Sequence, residues 1–263
     1  MNCRFLRRHG AADWVAAALA VAAPGSIHAQ GRGGRGGPPG PPRSPQASAP
    51  LDLTGYWVAL VTEDWRWRMV TAPKGDVASV PLNQEGRKLA NEWDPAKDEA
   101  AGNQCKAYGA GGIMRIPTRL HITWSDENTL RVDTDAGTQT RLFHFGTAQA
   151  SGEPTWQGYS AAQWEVAGGG RGGRGAPPQG GSLKAVTTHM RAGYLRKNGV
   201  PYSEKATVTE YLDRTMEPDG NSYLIVTTIV EDPEYLAQPF ITSTHFKKQA
   251  DAAGWNPTPC DAR

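Results

Sequence analysis

From residue 51 onward the chain consists of short runs in which apolar and polar positions alternate, the period of a strand with one dry and one wet face. Nine such runs stand out: "LTGYWVALVTEDWRWRMV" (53–70), "TRLHITW" (118–124), "NTLRVDTD" (128–135), "TQTRLFHFG" (138–146), "AAQWEV" (161–166), "LKAVTTHM" (183–190), "ATVTEYLDR" (206–214), "SYLIVTTIV" (222–230) and "FITSTHFKK" (240–248). They are rich in β-branched and aromatic residues, and Asp-Glu-Asn, Asp-Ala-Gly and Asp-Gly-Asn punctuate them. Only "PLNQEGRKLANEWDP" (81–95) has a helical period. Asn83 is its N-cap, Glu85 lies in its first turn, Leu82, Leu89 and Trp93 share a face, and Pro95 stops it. Strands at this meander-like spacing, with one short helical segment after the first, predict a mainly β protein: an antiparallel up-and-down barrel or a strongly curved sheet.

Outside that pattern lie segments of a different kind. Arg4, Arg7 and Arg8, the apolar run Trp14 to Ala23 and the small residue Ala29 read as a signal peptide over residues 1–29, too short to span a bilayer. This predicts a periplasmic or secreted protein with no integral membrane segment after cleavage. Arg7-Arg8 lacks the flanking residues of a twin-arginine signal. Residues 30–50, mostly Gly, Pro and Arg, read as a disordered tether, and the similar tract 168–181 reads as a disordered insertion at a hairpin tip. The folded domain then spans 51–263 as one unit.

Removing the signal takes away three arginines and one aspartate, so 28 basic and 26 acidic residues become 25 of each. No global field remains to attract nucleic acid, and the Arg-Gly-Gly repeats read as flexible spacers. Cleavage also removes Cys3. Cys105 and Cys260 remain as the pair that an oxidising compartment would join, closing a loop worth about 4–5 kcal/mol on the chain-entropy model.

Gly55-Tyr56-Trp57 at the start of the first strand resembles the Gly-x-Trp of lipocalin-type barrels, in which the Trp plugs the closed end and a basic side chain from a late strand covers it. Lys247 and Lys248 are the candidates for that side chain here. Nearly all of the chain after the signal also resembles a large group of exported, mostly uncharacterised bacterial proteins. They share an LxGxW start (Leu53 to Trp57), a short helix, a Cys (Cys105) followed by GxxRxP (Gly112 to Pro117), a WxGxSxxxWE stretch (Trp156 to Glu165), and a late stretch carrying TI, DP and PF or PW (Thr228 to Phe240). In that group the WE pair continues as GDTLVV; here the glycine-rich tract intervenes before "GGSLKAV". The resemblance implies a barrel fold and export, and carries no reaction with it.

The chemistry is less legible. His121, His144, His189 and His245 each lie in a strand-like run, where they serve as hydrogen-bonded structural groups or converge inside a barrel as bases. No two have metal-ligand spacing, so no metal site and no cofactor is expected. In the first run, strand alternation puts Trp65, Trp67 and Met69 on one face and Asp64, Arg66 and Arg68 on the other. Either the tryptophans are core and the arginines solvated, or the arginines point into a cavity as forks for a carboxylate, phosphate or sulfonate. Glu210 sits on an otherwise apolar stripe between Val208 and Leu212, a costly position unless paired; Arg141, Arg115 and Asp232 are its candidate partners. Ser160 lacks the second glycine of a nucleophile elbow, and the glycine tracts precede no helix that would make a phosphate loop.

These residues predict an exported barrel that holds a small amphipathic or aromatic ligand in its cavity. Trp65, Trp67, Trp124, Trp156 and Tyr159 are the expected walls, and Arg66, Arg68, Arg115, Arg141, His121 and His144 the polar anchors. The alternative is a cofactor-free isomerase, lyase or hydratase in that cavity, with His121 or Glu210 as base and an arginine stabilising developing negative charge. A filled barrel with an accessory envelope role is the third reading.

Overall fold

The computed structural model describes residues 43–147, 149–166 and 180–263. The signal segment, most of the tether and most of the glycine-rich tract lie outside these residues. Nine strands close into a barrel: β1 (Gly55–Leu60), β2 (Arg119–Asp126), β3 (Thr129–Thr134), β4 (Gln139–Phe145), β5 (Tyr159–Val166), β6 (Gly181–Thr188), β9 (Thr207–Met216), β10 (Ser222–Glu231) and β11 (Phe240–Lys248). Closure is made by β1, which pairs with both β11 (Leu60 opposite His245) and β2 (Trp57 opposite Leu120). All neighbours are antiparallel except β4 and β5, which run parallel. Residues 146–158 therefore return along the barrel before β5 begins. Val166 pairs directly with Gly181, so the glycine-rich tract joins the two strands of one hairpin.

The nine expected strand runs supply the nine barrel strands, because in each the apolar positions fall on the inner face. β9 and β10 show it plainly: Val208, Glu210 and Leu212 are buried alternately, as are Leu224, Val226, Thr228 and Val230. Trp57, Leu120, Ile122, Phe143, Leu183, Leu212 and Phe246 belong to the core inside the wall.

The helical content differs from the single segment expected. α2 (Gln84–Glu92) is that segment, with the Asn83 side chain accepting from Gly86 N at 2.9 Å. Two further helices occur, α1 (Trp65–Arg68) and α3 (Pro95–Ala100), with 3₁₀ turns at Lys106–Tyr108 and Ile113–Arg115. The first strand ends at Leu60, where its pairing with β11 stops, and does not continue to residue 70. The Trp-Arg-Trp-Arg stretch becomes one helical turn, entered through Asp64 in the left-handed region (φ 50°).

The two ends of the barrel are built differently. At one end Trp57 donates to Leu53 O at 2.9 Å and lies under Lys248, whose Nζ is 4.6 Å from the ring centroid and also donates to Thr54 O. Lys248 thus fills the place that the lipocalin resemblance gave to Lys247 or Lys248. Residues 43–50, expected as tether, lie against this end, with the Trp164 indole donating to Pro45 O at 2.9 Å. The other, helical end receives both long connections, 61–118 and 189–206. The second carries a small hairpin, β7 (Gly193–Arg196) and β8 (Val200–Tyr202). The connections lock together through Asn198 Nδ2, which donates to Pro73 O and Asp76 O at 3.0 Å, and an isolated bridge between Leu82 and Leu236 ties the first of them to the loop between β10 and β11.

Cys105 and Cys260 form the expected disulfide, with Cα atoms 5.1 Å apart, tying the first 3₁₀ turn to the C-terminal segment. No helix among the described residues is long and apolar enough to cross a membrane.

Candidate ligand-binding site at the helical end

The structure scatters part of the expected site and gathers the rest. His121 is on the outer wall, its ring stacked on Tyr56 at 4.1 Å beside Trp255. His144 is also outside, stacked on Tyr159 at 4.9 Å. Trp124 lies toward the Trp57 end with Phe145 and Trp164, and Trp156 lies under the guanidinium of Arg191 at 4.0 Å. The four histidines do not converge. Each barrel histidine follows or precedes inward apolar residues, as His144 does between Phe143 and Phe145, and alternation sends it outward.

Arg141 and Glu210 meet inside the barrel. Arg141 Nη1 and Nη2 donate to Glu210 Oε1 and Oε2 at 2.9 and 2.5 Å, and both residues are 0 % exposed. Arg141 Nη2 also reaches Thr187 Oγ1 at 3.4 Å, which is bonded to Ser160 Oγ at 2.7 Å. Of the three partners expected for Glu210, Arg141 is the one observed. A bidentate pair is the geometry that lets two charges remain inside a barrel. Each charge is neutralised by the other, and Arg141 Nε is left without an acceptor among the described residues.

Trp67, Arg68 and Arg115 come together at the helical end. Arg68 Nε donates to Arg115 O at 2.8 Å, and Arg115 Nη2 donates to Asp64 at 2.8 Å. Trp65 and Arg66 stand exposed beside them, Arg66 pairing with Asp76 at 2.7 Å. Arg196 on β7, absent from the expected set, completes the group by lying over the Trp67 ring at 4.7 Å.

A concave site with convergent polar groups also lies at this end, between α2, α3 and the β7–β8 hairpin. It is a cleft of about 330 Å³ walled by Trp93, Tyr194, Tyr202 and Tyr235. Its position follows from the local sequence. Asp94 caps α3 by accepting from Ala96 N at 3.1 Å, and Pro95 occupies the first turn, which sets Asp98 facing inward and buried. Lys106 follows Cys105 on the 3₁₀ turn that the disulfide anchors. Trp93 packs on Gly199 so closely that any β-carbon there would come within 2.1 Å of the ring, and Gly199 also has φ 78°.

On the polar side of the cleft, Asp98 accepts from Lys106 Nζ and from the Tyr194 hydroxyl, both at 2.7 Å. Lys106 Nζ is 3.5 Å from the Tyr194 oxygen and 5.3 Å from its ring centroid. Burial first, and then the bond to Asp98, push the Tyr194 phenol well above its ordinary value, so it remains a donor. The Trp93 indole N–H is buried and has no acceptor among the described residues. The cleft thus offers flat aromatic walls and a half-buried ammonium held at a fixed place. Sequence reading missed these residues because α3, the 3₁₀ turn and β7 carry no long periodic pattern.

No cluster of His, Cys, Asp and Glu among the described residues could hold a metal ion. Comparison with protein-family models, curated proteins and solved structures gives no match for this chain.

Proposed function

We propose that this chain is an exported, lipocalin-like barrel protein that binds a small aromatic or amphipathic ligand in the cleft at its helical end. The observation that carries the reading is the cleft itself. Its volume suits a small molecule, its walls are aromatic, and the Lys106–Asp98–Tyr194 network stands at one side. The reading moves the ligand out of the barrel interior, where the inward positions carry buried side chains including the closed Arg141–Glu210 pair. Export is supported by the disulfide, which belongs to an oxidising compartment.

Tryptophan fluorescence and melting temperature, measured against aromatic acids, terpenoids and lipids, test it. A ligand should quench fluorescence and raise the melting temperature in the wild type, with both responses weakened at least about tenfold in Trp93→Leu and Lys106→Met. Ligands that bind these variants as well as the wild type would remove the cleft from consideration.

A second reading is cofactor-free isomerisation, elimination or hydration in the same cleft. It is favoured by the pairing of a fixed ammonium with a phenol kept protonated, the groups needed to stabilise developing negative charge and deliver a proton. Product formation that is lost in Tyr194→Phe while binding persists would support it.

A further inference from the structure

Away from the cleft, α1, the second 3₁₀ turn and β7 bring three arginines into one small volume. Arg68, Arg115 and Arg196 are each about nineteen-twentieths buried. Their hydrogen bonds can be accounted for atom by atom. Arg68 uses Nε on Arg115 O and Nη1 on Glu63, leaving Nη2 without a partner. Arg115 uses Nη2 on Asp64 and leaves Nη1 bare, its guanidinium lying 5.5 Å over the Phe240 ring. Arg196 uses only Nη1, on Ala78 O at 2.7 Å, and leaves both Nε and Nη2 bare. Four buried N–H-bearing nitrogens from three side chains therefore lack acceptors among the described residues.

These side chains border a cavity of about 20 Å³, together with Trp67. That is room for about one water or one ion of similar size. Lys197, which also borders it, is turned toward Asp261 at 3.6 Å.

The charges do not balance. Counting Arg66, four arginines gather with three carboxylates: Glu63 on Arg68, Asp64 on Arg115 and Asp76 on Arg66. Arg196 has no carboxylate within ion-pair distance among the described residues, and its charge is screened from water on one side by the Trp67 ring. A buried guanidinium without a direct carboxylate partner is costly, and Asp64 and Asp76 offset that cost only in part, from a distance. Burial, and then repulsion by Arg115, hold its pKa down to about 10, well below the usual arginine value. A water molecule in the cavity would satisfy N–H groups and leave the charge; an anion would satisfy both.

We propose that the pocket between Trp67, Arg68, Arg115 and Arg196 is a binding site for a small singly charged anion of halide size. The ion accepts from the bare nitrogens of the three arginines and neutralises Arg196. The same chemistry would be met by a small carboxylate of acetate size entering over Trp67, and the probes below separate the two sources. The site is independent of the aromatic cleft.

The test uses the full mature chain at constant ionic strength in gluconate, an anion too bulky for the cavity, exchanged stepwise for chloride, bromide or acetate. Chloride and bromide should raise the melting temperature of the wild type along a saturating curve, and bromide should quench Trp67. In Arg196→Met the saturating response should disappear, or its midpoint shift at least about tenfold. Saturation with acetate and none with halides assigns the site to a small carboxylate and sustains the proposal in that form. Bromide soaked into crystals of the wild type provides a readout that needs no variant: an anomalous peak among the three guanidinium groups is expected. A response that is linear and equal in wild type and variant, or a pocket without anomalous density at saturating bromide, would show that it holds water only and overturn the proposal.

Discussion

Arg141 and Arg196 are both removed from water, one within the barrel and the other at its helical end, and the chain treats them in opposite ways. Arg141 is fully buried and meets a carboxylate through two parallel bonds. Arg196 is 5 % exposed and meets one backbone carbonyl, with two nitrogens bare. The barrel balances its charges internally: its buried pair needs no counter-ion from outside, although Arg141 Nε has no acceptor among the described residues, and it fixes how β4 stands across from β9. The helical end is left open in two senses: an aromatic-walled cleft beside a fixed ammonium, and a cluster with one arginine that has no direct carboxylate partner among the described residues. A buried charge with a partner speaks of architecture, and one without a partner points to a ligand.

The largest effect that sharpens this contrast falls on the helical end. Reducing the disulfide, or Cys105→Ser with Cys260→Ser, frees a loop of 155 residues and should cost about 5 kcal/mol on the chain-entropy model. Urea unfolding with and without reductant measures it. Because the bridge anchors the turn that carries Lys106, ligand responses in the cleft should weaken under reduction in conditions where the barrel remains folded.

Next comes the interior pair. Glu210→Gln leaves the Arg141 guanidinium without its counter-charge and should destabilise by about 3–5 kcal/mol, while Arg141→Met combined with Glu210→Leu should recover much of that loss. A double variant as unstable as the single one would mean that the pair contributes more than mutual neutralisation. Smaller still is Arg196→Met, expected within about 1 kcal/mol of the wild type in gluconate, since the substitution removes an unpaid desolvation together with one carbonyl bond. A loss as large as that of Glu210→Gln would erase the contrast.

The smallest effect is seen at alkaline pH. The Tyr194 phenol is raised in the folded chain, so its contribution is fully present below the unfolded value of about 10 and is lost as pH climbs from there toward the folded value. The wild type should therefore lose stability above that pH more steeply than Tyr194→Phe. The difference between the two melting curves isolates this group from Arg196, which acts in the opposite direction in the same range.

How much of this could be read from the chain follows the same division. The barrel strands announce themselves because each buries one face, and even the buried Glu210 was marked by its place between Val208 and Leu212. The helical end was far less legible. Trp65 to Arg68 alternates like a strand, yet has no neighbour to pair with, and tertiary context turned it into a helix. The β7–β8 hairpin is short and holds Pro201, but Asn198-Gly199, with Gly199 at φ 78°, was a hairpin signal that could have found it, and Arg196 with it. Asp98, Lys106 and Tyr194 come from three separate short elements, and nothing local to any of them shows that they meet.

The measurement that bears most directly on a binding surface at the helical end is hydrogen exchange with and without the best stabilising ligand from the thermal screen. Added protection should appear in α3, the turn at Lys106–Tyr108 and the β7–β8 hairpin, with β4 and β9 unchanged. Protection gained instead in β4 and β9, around Arg141 and Glu210, would return the ligand to the barrel interior and contradict the account.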